Sequence, residues 1–277
     1  MTYTNAILVG LVQGLTEFLP VSSSGHLLIV QHLFGVNADS VLIFTVLLHI
    51  GTLVSVFFCY WKDLLALFKE LFLTIIDLVT GKGLRLNERP VRRLGIMIII
   101  ASIPTGIIGL AFNDLFESFY TTLLPTGVGL LITGVLLWTA ESKRNNKVKA
   151  EGMEWTHALV IGTMQGVAIC PGISRSGSTL VGGLLTGLER DFAVEFAFLI
   201  SIPSILGSLI VMLGSEDASL ILDANRGPII AGAVVAAISG IVAIKAMIAV
   251  VRKLSLRYFS YYVWVLGIIL IIYTLKG

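Results

Sequence analysis

The chain has 277 residues, 56% of them hydrophobic and only 13% charged, against roughly 25% charged in an ordinary soluble domain. That balance excludes a water-soluble globular protein and describes a chain dissolved in lipid. With 19 basic against 17 acidic residues there is no basic face for nucleic acid, and two cysteines in apolar context, Cys59 and Cys170, make no disulfide framework.

In chain order, the first lysine or arginine is Lys62. A cleavable leader needs a basic start, so the apolar N-terminus is expected to be retained. Residues 4–35 are apolar but interrupted by Pro20-Val21-Ser22-Ser23-Ser24-Gly25-His26. Most of the half-segments on either side are too short to cross a hydrocarbon core, which takes about 20 helical residues. They predict a re-entrant helical hairpin, whose irregular backbone survives at depth only if protein or a wet cavity surrounds it. A full span follows at 40–61. The stretch 64–80 carries Lys69, Glu70 and Asp77 among apolar residues and reads as an amphipathic interfacial helix. Spans at 94–112 and 121–140 close the first half, 1–140. A polar cytoplasmic linker at 141–155 leads to a second interrupted segment, 156–187, broken by Pro171-Gly172-Ile173-Ser174-Arg175-Ser176-Gly177-Ser178. Spans at 192–213, 228–250 and 258–275 complete the second half, 156–277.

The halves are copies at a constant offset of 152 residues. Gly10, Gln13 and Gly14 match Gly162, Gln165 and Gly166; Ser22, Ser24 and Gly25 match Ser174, Ser176 and Gly177; Gly35 matches Gly187. The expected fold class is therefore an all-α polytopic membrane protein with an inverted-topology repeat. Each half is one re-entrant hairpin plus three transmembrane helices, and three crossings turn the second half upside down. Threading the chain from outside puts fifteen of the 19 basic residues on one side and only Arg226 and Lys276 on the other, with Arg175 and Lys245 in the membrane. By the positive-inside rule the rich side is cytoplasmic. Both termini are then expected on the outer side of the plasma (inner) membrane, and the two hairpin tips near the midplane.

Two helix starts facing one cavity suit an anion, usually a phosphate, and the serines supply N-caps and hydroxyl donors. The positions that break the repeat carry the chemistry. Ser23 is matched by Arg175, Glu17 by Ile169 and His26 by Ser178. One hairpin brings carboxylate, serine and imidazole, and the other a guanidinium. A buried arginine needs an anionic partner, either a substrate phosphate or, as the plainer alternative, Glu17 in a structural ion pair. His26 has a plain alternative too, as a satisfied interior histidine. Gln13 and Gln165 read as interhelical hydrogen-bond partners, with Gln13 also able to line the cavity. His49, mid-span and matched by Ser201, reads as structural or cavity-lining.

These residues carry a resemblance. Gln13-Gly-Leu-Thr-Glu17-Phe-Leu-Pro-Val-Ser-Ser-Ser-Gly-His26 resembles the first signature of the bacterial undecaprenyl-diphosphate phosphatases of the bacitracin-resistance type, and Pro171-Gly-Ile-Ser-Arg175-Ser-Gly-Ser-Thr179 their second. The resemblance covers the whole chain. It implies an integral membrane hydrolase that converts a polyprenyl diphosphate lipid to the monophosphate, returns the carrier to cell-wall synthesis and uses a divalent cation, Mg2+ or Ca2+. Carried over by position, the resemblance implies Glu17, Ser23, His26 and Arg175 as the catalytic residues, with Glu17 either helping to hold the cation or acting as a base. Gln13, Ser22, Ser24, Gly25, Ser174, Ser176, Gly177 and Thr179 line the substrate site. Where the family often has a glutamate this chain has Gln13, which leaves one carboxylate rather than two. Ser23 activated by His26, a water activated by His26 or Glu17, and His26 itself remain alternative nucleophiles. On architecture alone, a secondary transporter or lipid flippase is the rival reading. A homo-oligomer is compatible with the sequence, and membrane lipids are the other expected partners.

Overall fold

The computed structural model describes residues 2–34, 38–143, 146–213 and 216–276, with side chains described except at 34–43 and 213–225. Gly35 of the repeat register and Arg144 of the linker lie outside the described residues. Among the described residues the structure is helical, with no strand beyond a single bridge between Val148 and Leu188. Helix α1 (Tyr3–Phe18) begins where the extended Thr2 accepts the Asn5 amide on its Oγ1 at 3.2 Å. It stops short of Pro20, as a chain must where a proline ring crowds the preceding residue. After the turn comes α2 (Ser23–Phe34).

Helix α3 (Ala38–Cys59) is followed at an 87° bend by α4 (Trp61–Val79). The bend sets α4 nearly perpendicular to α3. Leu65, Phe68, Phe72, Ile76 and Val79 are exposed, while the acidic face docks on α5 (Pro90–Ala111). There the buried Arg92 donates to Asp77 Oδ2 at 2.8 Å and to Glu70 Oε2 at 3.1 Å, and Arg89 donates to Glu70 Oε1 at 2.8 Å. The hydrogen bond from Arg92 holds the Asp77 carboxyl below the usual carboxylate range. A short helix the sequence does not announce, α6 (Asn113–Phe119), precedes α7 (Leu123–Ala140). The linker contains two single 3-10 turns, at Glu141–Lys143 and Ala150–Gly152.

The second hairpin is α8 (Trp155–Val167) and α9 (Arg175–Thr186), ended by Gly187 at φ 106°, a left-handed cap that glycine adopts without strain. The span expected at 192–213 is broken at Ile200 into α10 (Arg190–Leu199) and α11 (Ser201–Leu213). Pro203 has no N–H for the carbonyl of Leu199, and Ser201 Oγ donates to the neighbouring Phe198 carbonyl at 2.6 Å. Helix α12 (Glu216–Lys253) starts twelve residues before the expected 228 and runs through Pro228; at 1.5 Å per residue its 38 residues span about 57 Å. It therefore projects beyond the hydrocarbon. Helix α13 (Arg257–Lys276) ends the chain.

Among the described residues, five segments are long and apolar enough to cross a bilayer (α5, α7, α10 with α11, α12, α13), or six if the bent pair α3–α4 is counted as one span. Their outward faces stay apolar, as with Ile99, Ile103, Ile107 and Leu110 on α5 and Val265, Ile268 and Ile272 on α13. Helix contacts use small residues and hydroxyls, as expected where lipid removes the hydrophobic drive between helices. Gly10 of α1 lies so close to α12 that a Cβ there would strike the Gly232 carbonyl. Gly162 of α8 lies likewise against the Ala101 carbonyl of α5. Ser55 Oγ of α3 donates to Ala237 O of α12 at 2.8 Å, and Thr105 Oγ1 of α5 to Gly162 O of α8 at 2.8 Å.

Candidate active site

The two hairpin turns are built alike. At the first, Ser22 Oγ accepts the Gly25 amide at 3.2 Å; at the second, Ser174 Oγ accepts the Gly177 amide at 3.1 Å. Each serine caps the helix that follows it. The amides of residues 23 and 24, and of 175 and 176, are then left with no acceptor in their own helices, as at any helix start. The second hydroxyls sit beside the caps, with Ser24 Oγ 3.2 Å from Ser22 Oγ and Ser176 Oγ 3.3 Å from Ser174 Oγ. The turns differ in their left-handed residue. Ser22 itself has φ 69°, whereas the second tip uses Gly172 at φ 86°, pressed against the Thr126 carbonyl. A left-handed serine costs roughly 1–2 kcal/mol, and its cap and helix bonds hold it there. Thr133 of α7 fastens the second tip, donating to Gly172 O at 3.0 Å and accepting the Ser174 amide at 2.9 Å.

The tips touch. Ser176 Oγ donates to the Leu19 carbonyl at 2.9 Å, and a Cβ on Gly177 would lie 3.3 Å from Pro20 Cβ. Beside this contact sits Glu17, only 5% exposed. Its Oε2 accepts from Ser23 Oγ at 2.6 Å and from Gln13 Nε2 at 2.8 Å, and faces His49 Nε2 at 3.5 Å. Its Oε1 pairs with Nη2 of Arg175, reaching across from the other hairpin. Arg175 also donates to the Ser201 carbonyl, at the break between α10 and α11, at 3.5 Å.

Of the residues singled out in the sequence, Gln13, Glu17, Ser23 and Arg175 form one cluster. Ser22 and Ser174 are caps, Ser24 and Ser176 flank them, and Gly25 and Gly177 let the tips approach. Thr179 turns back on its own helix, donating to the carbonyls of Arg175 and Ser176. His26 points elsewhere. Its Nδ1 donates to the Ser22 carbonyl at 2.8 Å, and its Nε2 meets the Tyr262 hydroxyl of α13 at 2.7 Å, the rings stacked at 5.7 Å. The hydroxyl of Ser23 is thus bonded to Glu17 rather than to His26. Gln165 joins α8 to α5 and α11, donating to Thr105 Oγ1 at 3.2 Å and Ser204 Oγ at 2.7 Å. Sequence reasoning missed Tyr262 and Thr133, which no spacing marks, and left His49 open although its register with Ser201 was visible. An open apolar depression of about 280 Å³ borders the second tip, lined by Leu124, Val128, Ile132, Cys170 and Ile173 among others.

Fold and site together define a polytopic membrane protein in which two bent helical tips bring a carboxylate, a hydroxyl and a guanidinium into one buried cluster. The chain belongs to the bacitracin resistance protein BacA family, whose profile matches residues 6–269. It is similar to the undecaprenyl-diphosphatase of Alkaliphilus metalliredigens, 51% identical over 275 residues, covering 99% of this chain and 100% of that one. Its similarity to the undecaprenyl-diphosphatases of Methanosphaera stadtmanae (97% of this chain, 96% of that one) and Carboxydothermus hydrogenoformans (100% and 99%) is 40% identity.

Proposed function

We propose that this protein hydrolyses undecaprenyl diphosphate to undecaprenyl phosphate and inorganic phosphate, recycling the cell-wall carrier lipid and conferring bacitracin resistance. The observation that carries the site reading is the bond from Ser23 to Glu17, both of the first hairpin, beside Arg175 of the second. The diphosphate enters between the helix starts and draws Arg175 to its terminal phosphoryl group, where the guanidinium and the free amides at 23–24 and 175–176 offset charge in flight. Ser23 Oγ attacks the terminal phosphorus while its proton passes to Glu17 Oε2. The bond to the bridging oxygen breaks, and the prenyl monophosphate leaves with the proton from Glu17. Water then attacks the phosphoserine, releasing phosphate and restoring the Ser23 hydroxyl. The open apolar depression beside Cys170 and Ile173 is proposed to take the isoprenoid chain.

The protein groups do not by themselves make a resident cation site. Glu17 Oε2 accepts from Ser23 and Gln13, Glu17 Oε1 is ion-paired with Arg175 but has no hydrogen-bond partner, and no cluster of three His, Cys, Asp or Glu exists among the described residues. The buried Gln13 Oε1 has no hydrogen-bond partner. A divalent cation is proposed as a companion of the diphosphate, supplying charge neutralisation there. We further propose that the second half is inverted relative to the first, with both termini outside. The matching close approaches of Gly10 to α12 and Gly162 to α5 support that reading. The test is phosphate release from a long-chain prenyl diphosphate by detergent-purified protein with no gradient, with and without chelator. Glu17→Ala and Arg175→Ala are each expected to abolish it. Near-normal turnover in both would refute the site.

A further inference from the structure

Ser23 and Ser24 begin the same helix and, at 3.6 residues per turn, point about 100° apart. Ser23 turns to Glu17, the partner of Arg175. Ser24 turns to Tyr120, which closes the corner between α6 and α7. The Tyr120 hydroxyl has the Ser24 side chain as one hydrogen-bonding neighbour and donates to the Ile169 carbonyl of the second tip at 3.3 Å. It therefore stands where the two hairpins meet, on the Ser24 side of the helix start rather than the Ser23 side. Phe119, one residue before it, and Cys170, one residue after the carbonyl that it holds, both line the open apolar depression. The hydroxyl thus lies between a helix start with free amides and the surface proposed for the isoprenoid chain.

A prenyl diphosphate has two phosphates, and Ser23 and Arg175 account for the terminal one. The other, bonded to the lipid, has to lie between that point and the tail. We propose that Tyr120 is a substrate-binding residue whose hydroxyl donates to the lipid-proximal phosphate of the bound diphosphate. The bond it gives up is weak, since 3.3 Å is long for a hydroxyl donor, which ordinarily sits about 2.5–3.0 Å from its acceptor. The bond it gains is to an anion, shorter and roughly twice as strong. Burial pushes the phenol up to about 12, so it keeps its proton and remains a donor at working pH. The monophosphate product retains the lipid-proximal phosphate, so the same hydroxyl holds the product until it leaves. This assignment deepens the reading of Ser23, Glu17 and Arg175 given above and rests on it.

The experiment measures inhibition of long-chain prenyl diphosphate hydrolysis by each product in turn, the prenyl monophosphate and inorganic phosphate, at one fixed detergent and cation concentration. Purified wild-type and Tyr120→Phe proteins are compared, each checked for a monodisperse folded state, with turnover of Glu17→Ala measured beside them. Tyr120→Phe is expected to weaken inhibition by the prenyl monophosphate about tenfold to a hundredfold, the size of a lost hydrogen bond to a charged group, and to leave inhibition by inorganic phosphate unchanged. Unchanged inhibition by the prenyl monophosphate, beside an inactive Glu17→Ala, overturns the proposal. Equal weakening against both products overturns it too, since a merely loosened junction of the tips would give that result. If Tyr120→Phe does not fold, Tyr120→Leu, which also lacks the hydroxyl, is read in the same way. An active Glu17→Ala would instead sink the underlying site reading.

Discussion

Replacing Glu17 with glutamine separates binding from chemistry at this site. The side chain keeps its shape, but its charge is gone, and Arg175 loses the partner it holds in the free protein. In the wild type an incoming phosphate must displace that partner. A hydrogen bond to a charged group is worth about 1.5–3 kcal/mol. At roughly 1.4 kcal/mol per decade, inorganic pyrophosphate is expected to bind Glu17→Gln about tenfold to a hundredfold more tightly. Turnover moves the other way. Without the acceptor that Ser23 reaches at 2.6 Å, the reaction loses its general base, typically a factor of about 10² to 10⁴. Calorimetric titration of both proteins with pyrophosphate at one fixed cation concentration reads the first effect, and phosphate release reads the second. Pyrophosphate binding that stays unchanged or weakens would show that Arg175 is not the group the phosphate takes from Glu17.

Two further outcomes bear on the fold. Gly10→Ala and Gly162→Ala each force a methyl into a backbone carbonyl, of Gly232 and Ala101, whereas a Cβ on Gly106 has nothing within 4 Å. The first two are expected to lose about 1–3 kcal/mol, as overpacked sites do, and Gly106→Ala to lose little, read as thermal unfolding in detergent. A Gly162→Ala protein as stable as wild type would contradict the close packing of α8 on α5. For orientation, Thr2→Cys and Lys147→Cys in a cysteine-free background are labelled on intact cells with an impermeant maleimide. Labelling at 2 and protection at 147 are expected, and the reverse would place the termini inside.

The architecture was readable where physics punishes departures. A charge or a proline in an apolar run is costly, so Glu17, Arg175 and the two Pro/Ser/Gly interruptions stood out, as did the acidic face of α4. The break at Ile200 was less visible, since Pro203 alone also permits a continuous kinked helix. The pairing of side chains was least legible. Ser23 and His26 are three residues apart on one helix, which invites a Ser–His couple. The Ser22 carbonyl, set by a left-handed residue, instead turns the ring toward Tyr262, 236 positions away. His49 belongs to the same class: its register with Ser201 was plain, but only the crossing of α1 and α3 shows that it reaches Glu17.

The Ser176 hydroxyl on the Leu19 carbonyl ties the two tips at the point where the charges meet. Moving a lipid headgroup from one leaflet to the other by rocking the halves apart would break that tie and pull Arg175 away from Glu17. Cleavage and translocation would therefore need separate conformations, and a mutant locked shut across the tips would keep the first while losing any trace of the second.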